Sequence, residues 1–201
     1  CLIMAITING TGSITGLTAG GLPDGSVTAA DIETSLDLTG KTVTLPSGTG
    51  GKILQVVYGS SNAVFSTLAS IPNDDTIPQN TEGLEFLTQS ITPVSASSDL
   101  IIQVNCPCIT SNMVGNHMVA LFRDSGTDAI ASASTVVASN DYEEVLTLVH
   151  KEAASSTNET TFKCRFGSNS TTYTTYLNQR VGGRILGGTL AVSIVIYEVA
   201  A

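Results

Sequence analysis

A chain of 201 residues has room for one large β domain, or for one medium domain with an appendage, and not for two enzyme-sized domains. Charged residues make up only 12% of it and hydrophobic residues 42%, too apolar for disorder; its polarity comes from 22 Ser and 27 Thr, which with 19 Gly favour strands and turns over helices. Lys and Arg total 8 against 17 Asp and Glu, a net charge of −9, which argues against binding the phosphate backbone of a nucleic acid.

Met4 followed by Ala-Ile-Thr-Ile reads as a translation start, which leaves Cys1, Leu2 and Ile3 as additional residues. A mature lipoprotein beginning at Cys1 would continue into a polar tether, whereas Leu2 to Ile8 is largely apolar. The first forty residues hold no Lys or Arg to begin a secretory signal, and the apolar run Leu190 to Val199 is about half a bilayer span, so the expectation is a soluble protein with no membrane insertion.

Composition shifts near Gly50. Residues 5 to 51 carry ten Gly, one cation at Lys41 and no aromatic residue, too little to build a core alone. Ile6, Ile8, Ile14 and Leu17, then Leu36, Leu38, Val43 and Leu45, recur at short spacings as in brief strands, and Ser26 to Leu36 reads as one short capped helix. Residues 4 to 50 are therefore expected to form an arm that buries its apolar positions against other chains, with identical copies as the simplest partner.

From residue 52 to 201 the pattern is that of a β-sandwich head. Phe162, Cys164 and Phe166 alternate with Thr161, Lys163 and Arg165 across Thr160 to Gly167, one face buried and one wet. Further strands are predicted at Ile53 to Tyr58, Ala63 to Leu68, Leu84 to Ile91, Leu100 to Asn105, His117 to Arg123, Ile130 to Val137, Glu144 to His150, Tyr173 to Asn178 and Thr189 to Val199. About ten short strands separated by turns, without helices between them, indicate an all-β, antiparallel, jelly-roll-like sandwich. The last strand is apolar on both faces, which predicts a central place covered by the opposite sheet and by a neighbouring subunit.

Sites that would carry chemistry are weak. Pro46-Ser-Gly-Thr-Gly-Gly-Lys-Ile imitates a phosphate loop but has Pro46 at the first Gly position and Ile53 where a hydroxyl would hold magnesium. Gly10 to Gly16 has one residue too many for a dinucleotide fingerprint. Cys106, Cys108, Cys164 and His117 or His150 could be drawn as a zinc site, yet the paired spacing is missing and free thiols in a reducing cytoplasm are expected. His117 and His150 lie at strand ends without a nucleophile elbow, and the paired acids Asp74-Asp75 and Glu143-Glu144 have no glycosidase arrangement. The Asp74-Asp75 loop, with Asn73 and Asn80, lacks the spaced acids of a calcium loop. No catalytic residue, cofactor or metal is therefore assigned. Tyr173, Tyr176, Asn178 and Arg180, with Arg184 nearby, combine flat rings and polar tips as recognition surfaces do, and they are the candidate receptor-binding residues; packing between subunits is the alternative.

Four stretches of the first half, Met4-Ala-Ile-Thr-Ile-Asn-Gly-Thr-Gly-Ser-Ile-Thr-Gly-Leu, Gly21-Leu-Pro-Asp-Gly-Ser-Val, Leu36-Asp-Leu-Thr-Gly-Lys-Thr-Val-Thr-Leu-Pro-Ser-Gly and Gly51-Lys-Ile-Leu-Gln-Val-Val, resemble the openings of short tail-fibre proteins of tailed bacteriophages, marine ones especially. Leu100-Ile-Ile-Gln-Val, Ala120-Leu-Phe-Arg-Asp-Ser-Gly-Thr-Asp-Ala-Ile and Gly188 to Val199 are similar to their C-terminal heads. The resemblance implies a homotrimeric structural virion protein, assembled in the host cytoplasm. Its arm (residues 4 to 50) would join other virion proteins and its head (52 to 201) would contact a host cell-surface receptor, a polysaccharide or a protein. The arm is short for such fibres, which leaves a capsid head fibre or decoration protein as the alternative, and a carbohydrate-binding or carbohydrate-active jelly roll as the second.

Overall fold

The computed structural model describes residues 53–201, so the arm expected over 4–50, its helix and its glycine-rich loops lie outside the described residues. Twelve strands follow in chain order: β1 (Ile53–Ser61), β2 (Phe65–Thr67), β3 (Leu84–Ile91), β4 (Asp99–Ser111), β5 (Gly115–Arg123), β6 (Ala131–Val137), β7 (Glu144–Ala153), β8 (Thr160–Ser168), β9 (Thr175–Leu177), β10 (Gln179–Arg180), β11 (Gly183–Arg184) and β12 (Val192–Val199).

The eight long strands pair as one antiparallel hairpin folded over on itself. β1 pairs with β12, β3 with β8, β4 with β7, and β5 with β6. Two further pairings, β12 with β4 and β8 with β5, close these into a first sheet ordered β1-β12-β4-β7 and a second ordered β3-β8-β5-β6. First strand beside last, with the chain then passing between the sheets, is the strand order of a jelly roll. The all-β antiparallel sandwich expected from the sequence is thus the fold, and β12 is central in its sheet as expected.

Alternation builds the core. Phe162, Cys164 and Phe166 of β8 point inward to meet Leu100, Ile102, Val104 and Cys106 of β4, Leu146 and Leu148 of β7, and Val192, Ile194 and Ile196 of β12. Phe65, Phe86 and Phe166 stack edge to face at centroid separations of 5.7 to 6.4 Å. A smaller cluster, Ile71 with Met118, Ala120 and Phe122, lies on the outer face of the second sheet, where the segment before β3 folds across it.

Three boundaries differ from the sequence reading. The strand expected to stop at Asn105 runs through Pro107 to Ser111, because a register shift between Cys106 and Ile109 lets the chain continue; beyond it β9 takes the edge of β4 that β12 has vacated. The strand expected over Tyr173 to Asn178 shrinks to Thr175–Leu177, and the last begins at Val192 rather than Thr189, after a 3-10 turn at Leu186–Gly188.

One carboxylate is locked inside the first sheet's end. Glu198 of β12 is fully buried and accepts hydrogen bonds from Ser98 Oγ at 2.6 Å, Val94 N–H at 2.9 Å, Gln55 Nε2 at 2.6 Å and Ser95 N–H at 3.0 Å. It clasps β1 and the β3–β4 loop to the last strand. Burial pushes its pKa up, yet these four donors outweigh burial and hold it down at about 2.

Candidate functional site

The recognition residues expected from the sequence are not one surface. Tyr173 is buried, its ring edge-on to His117 at 6.3 Å and its hydroxyl donating to Asn169 Oδ1. Asn178 is also buried, in a left-handed backbone conformation with φ of 60°, and its Nδ2 donates to Ser61 O and Ala63 O, both at 2.9 Å. Gln179 Nε2 donates to Phe65 O at 2.9 Å and Arg184 Nη1 to Asn62 O at 3.0 Å. The segment is therefore a brace that holds the β1–β2 connection. Of the residues expected to bind a receptor, Tyr173 and Asn178 therefore lie inside the head, each with an internal hydrogen bond. Tyr176 is half-buried on β9, and Arg180 is exposed and ion-paired with Glu143 of the β6–β7 loop.

Apolar surface gathers elsewhere, on the outer face of the first sheet. The register sets Tyr58, Val195, Gln103 and Val149 in one row across β1, β12, β4 and β7, and Val56, Tyr197, Ile101 and Lys151 in the next. Tyr58 is 62% exposed and Val149 65%, with Val56 and Val145 similarly open. Charge on this face is confined to one ion pair at its end, Lys151 with Asp99 at 2.7 Å. Single exposed apolar residues are ordinary and a stripe of them is not; apart from the Lys151–Asp99 pair this stripe carries no charge.

The outer face of the second sheet carries the opposite chemistry. Lys163 and Arg165, the wet side of β8, sit beside Phe122 of β5 and Glu85 of β3. The turn Asp124-Ser125-Gly126 and Asn80 wall them in, enclosing a cup of about 220 Å³. Asp124 holds a positive φ of 52°, fixed by its N–H donating to Thr161 O at 2.7 Å and its Oδ1 accepting from Thr161 N–H at 2.8 Å. Asn80 is tied to the same turn through Thr127 O at 2.7 Å and Gly126 O at 3.1 Å. Sequence reasoning missed this cup. The alternation of β8 exposed Lys163 and Arg165, but nothing in the pattern brings Asn80 or Glu85 to them.

Groups that could carry reaction chemistry are scattered. Cys106 and Cys164 are buried free thiols facing the core; burial pushes the pKa of Cys106 up to about 12 and that of Cys164 upward as well. Burial likewise lowers His117 to about 4. His150 lies 3.7 Å from Glu152 on its own strand, and Asp74 turns back to Thr76 of its own loop. Among the described residues no three His, Cys, Asp or Glu converge as metal ligands, and no helix is long and apolar enough to cross a membrane.

No protein-family model matches the chain, and no curated protein matches it. Solved structures do. The C-terminal domain of EclA, a sugar-binding protein, is similar at 18% identity over 58% of this chain and 74% of that one, with a TM-score of 0.34. The VP2 subviral particle of infectious bursal disease virus is similar at 11% identity over 73% of this chain and 38% of that one, also at 0.34. Likeness at that level adds nothing to the strand order, which defines the fold by itself.

Proposed function

We propose that this protein is a non-enzymatic structural virion protein, a bacteriophage fibre whose jelly-roll head forms a homotrimer and contacts the host cell surface. The arm over residues 4–50 seats it on other virion proteins. The observation that carries the reading is the apolar face of the first sheet, charged only at the Lys151–Asp99 pair, which around a threefold axis would pack against the equivalent faces of the two other copies. The sequence resemblance to tail fibres and the jelly-roll strand order support it.

Area sets a limit on how much the head does alone. Four strands about 4.8 Å apart and about seven residues long make a face on the order of 400 Å². A standard interface buries about 800 Å² per partner. The head therefore contributes part of the association and the arm contributes the rest. Mass measurement of the intact assembly tests this directly: three times 20.7 kDa is expected, and a monomer at micromolar concentration overturns it.

A further inference from the structure

The geometry points to the cup on the second sheet as a binding site for one uncharged sugar ring, a neutral hexopyranoside. Its volume of about 220 Å³ is below the roughly 300 Å³ at which pockets for drug-sized ligands begin, so a single ring fits and a nucleotide or an oligosaccharide does not. Its lining is balanced, with Lys163 and Arg165 against Glu85 and Asp124. An anionic ligand gains little from such a site. A ring of hydroxyls, each able to donate and to accept, satisfies both kinds of group at once.

The site is built before any ligand arrives. Arg165 is committed through Nε to Glu82 O at 2.7 Å and through Nη2 to Gly83 O at 2.9 Å, which aims its remaining nitrogen, Nη1, at Glu85 Oε2. That pair is 3.5 Å apart, long for a charge-assisted bond, so both atoms keep capacity for a hydroxyl. Asp124 and Asn80 are pinned by the turn; Asn80 keeps Oδ1 free of backbone bonds, and Asp124 Oδ2, 3.6 Å from Arg123 Nε, keeps room for a hydroxyl on its other side. Lys163 is half-buried and makes no ion pair among the described residues. Pinned walls spare a ligand the cost of ordering them. The proposal deepens the attachment reading and rests on it for one point: a weak single site gains avidity when a trimer presents three.

Saturation transfer from the full chain to the methyl glycosides of glucose, galactose and mannose tests it, with methyl glucuronide as the charged comparison. Transfer to at least one neutral glycoside is expected, falling at least tenfold in Lys163→Met and in Glu85→Gln while the assembly mass stays the same. Transfer to none of the neutral rings, transfer unchanged in both variants, or transfer to the glucuronide alone overturns the site. A trimer that binds no glycoside refutes only this inference, and a monomer that binds one refutes only the assembly reading.

Discussion

His117 of β5 and Tyr173 meet edge to face with their planes at 69°, and neither nitrogen of the buried imidazole has a protein hydrogen-bond partner. Desolvation holds this histidine neutral, with its pKa lowered from 6.5 to about 4. The unfolded chain therefore binds a proton that the folded one refuses. Stability should be full above pH 6.5, decline as pH falls, and level off below about 4, a loss of about 3 kcal/mol. Urea unfolding of His117→Leu should lose this decline between pH 6.5 and 4.5, above the range in which Glu198 titrates. An unchanged slope would place the proton elsewhere.

Glu198 titrates in a lower window, because its folded pKa is depressed from 4.5 to about 2. The stability it supplies is present above pH 4.5 and lost as pH falls toward 2, again about 3 kcal/mol. Glu198→Gln places an amide donor against one of the Val94 and Ser95 N–H groups, which bond to different oxygens of the carboxylate. It should cost about 2 to 3 kcal/mol at pH 7 and much less at pH 2. Equal losses at both pH values would show that shape, not charge, matters there.

Cys106 and Cys164 face the core from opposite sheets, and their thiols are held protonated by burial. The thiolate is the reactive form. Neither residue should take up iodoacetamide at pH 8 in the folded chain, and both should do so in denaturant, as peptide mass mapping will report. Labelling of Cys164 without unfolding would mean that the second sheet opens locally.

The fold was legible because its strands alternate: Phe162, Cys164 and Phe166 announce which side of β8 is inside, and the turn residues between runs announce the rest. The internal role of the segment around Asn178 is something composition cannot show. Asn178 and Gln179 look alike whether they face a ligand or donate to the carbonyls of Ser61, Ala63 and Phe65, more than a hundred residues earlier. Glu198 was hidden in the same way, a charge in an apolar strand whose four donors come from β1 and a distant loop. The bulge past Pro107 was invisible because proline signals a strand's end unless the register shifts around it.

Tyr58 and Val149 are in one row of the first sheet, separated by Val195 and Gln103, and an assembly through this face would bury both. A carboxylate placed there must be buried against a partner copy or expel it, and desolvating an unpaired charge costs several kcal/mol. On an isolated head the same substitution changes only the surface, worth within about 0.5 kcal/mol. Tyr58→Asp combined with Val149→Glu should therefore drive the assembly toward monomers while circular dichroism retains the β spectrum. Light scattering at matched concentrations reads the mass. If the double variant keeps the parent's mass, the apolar face is not the interface and the copies meet through another surface.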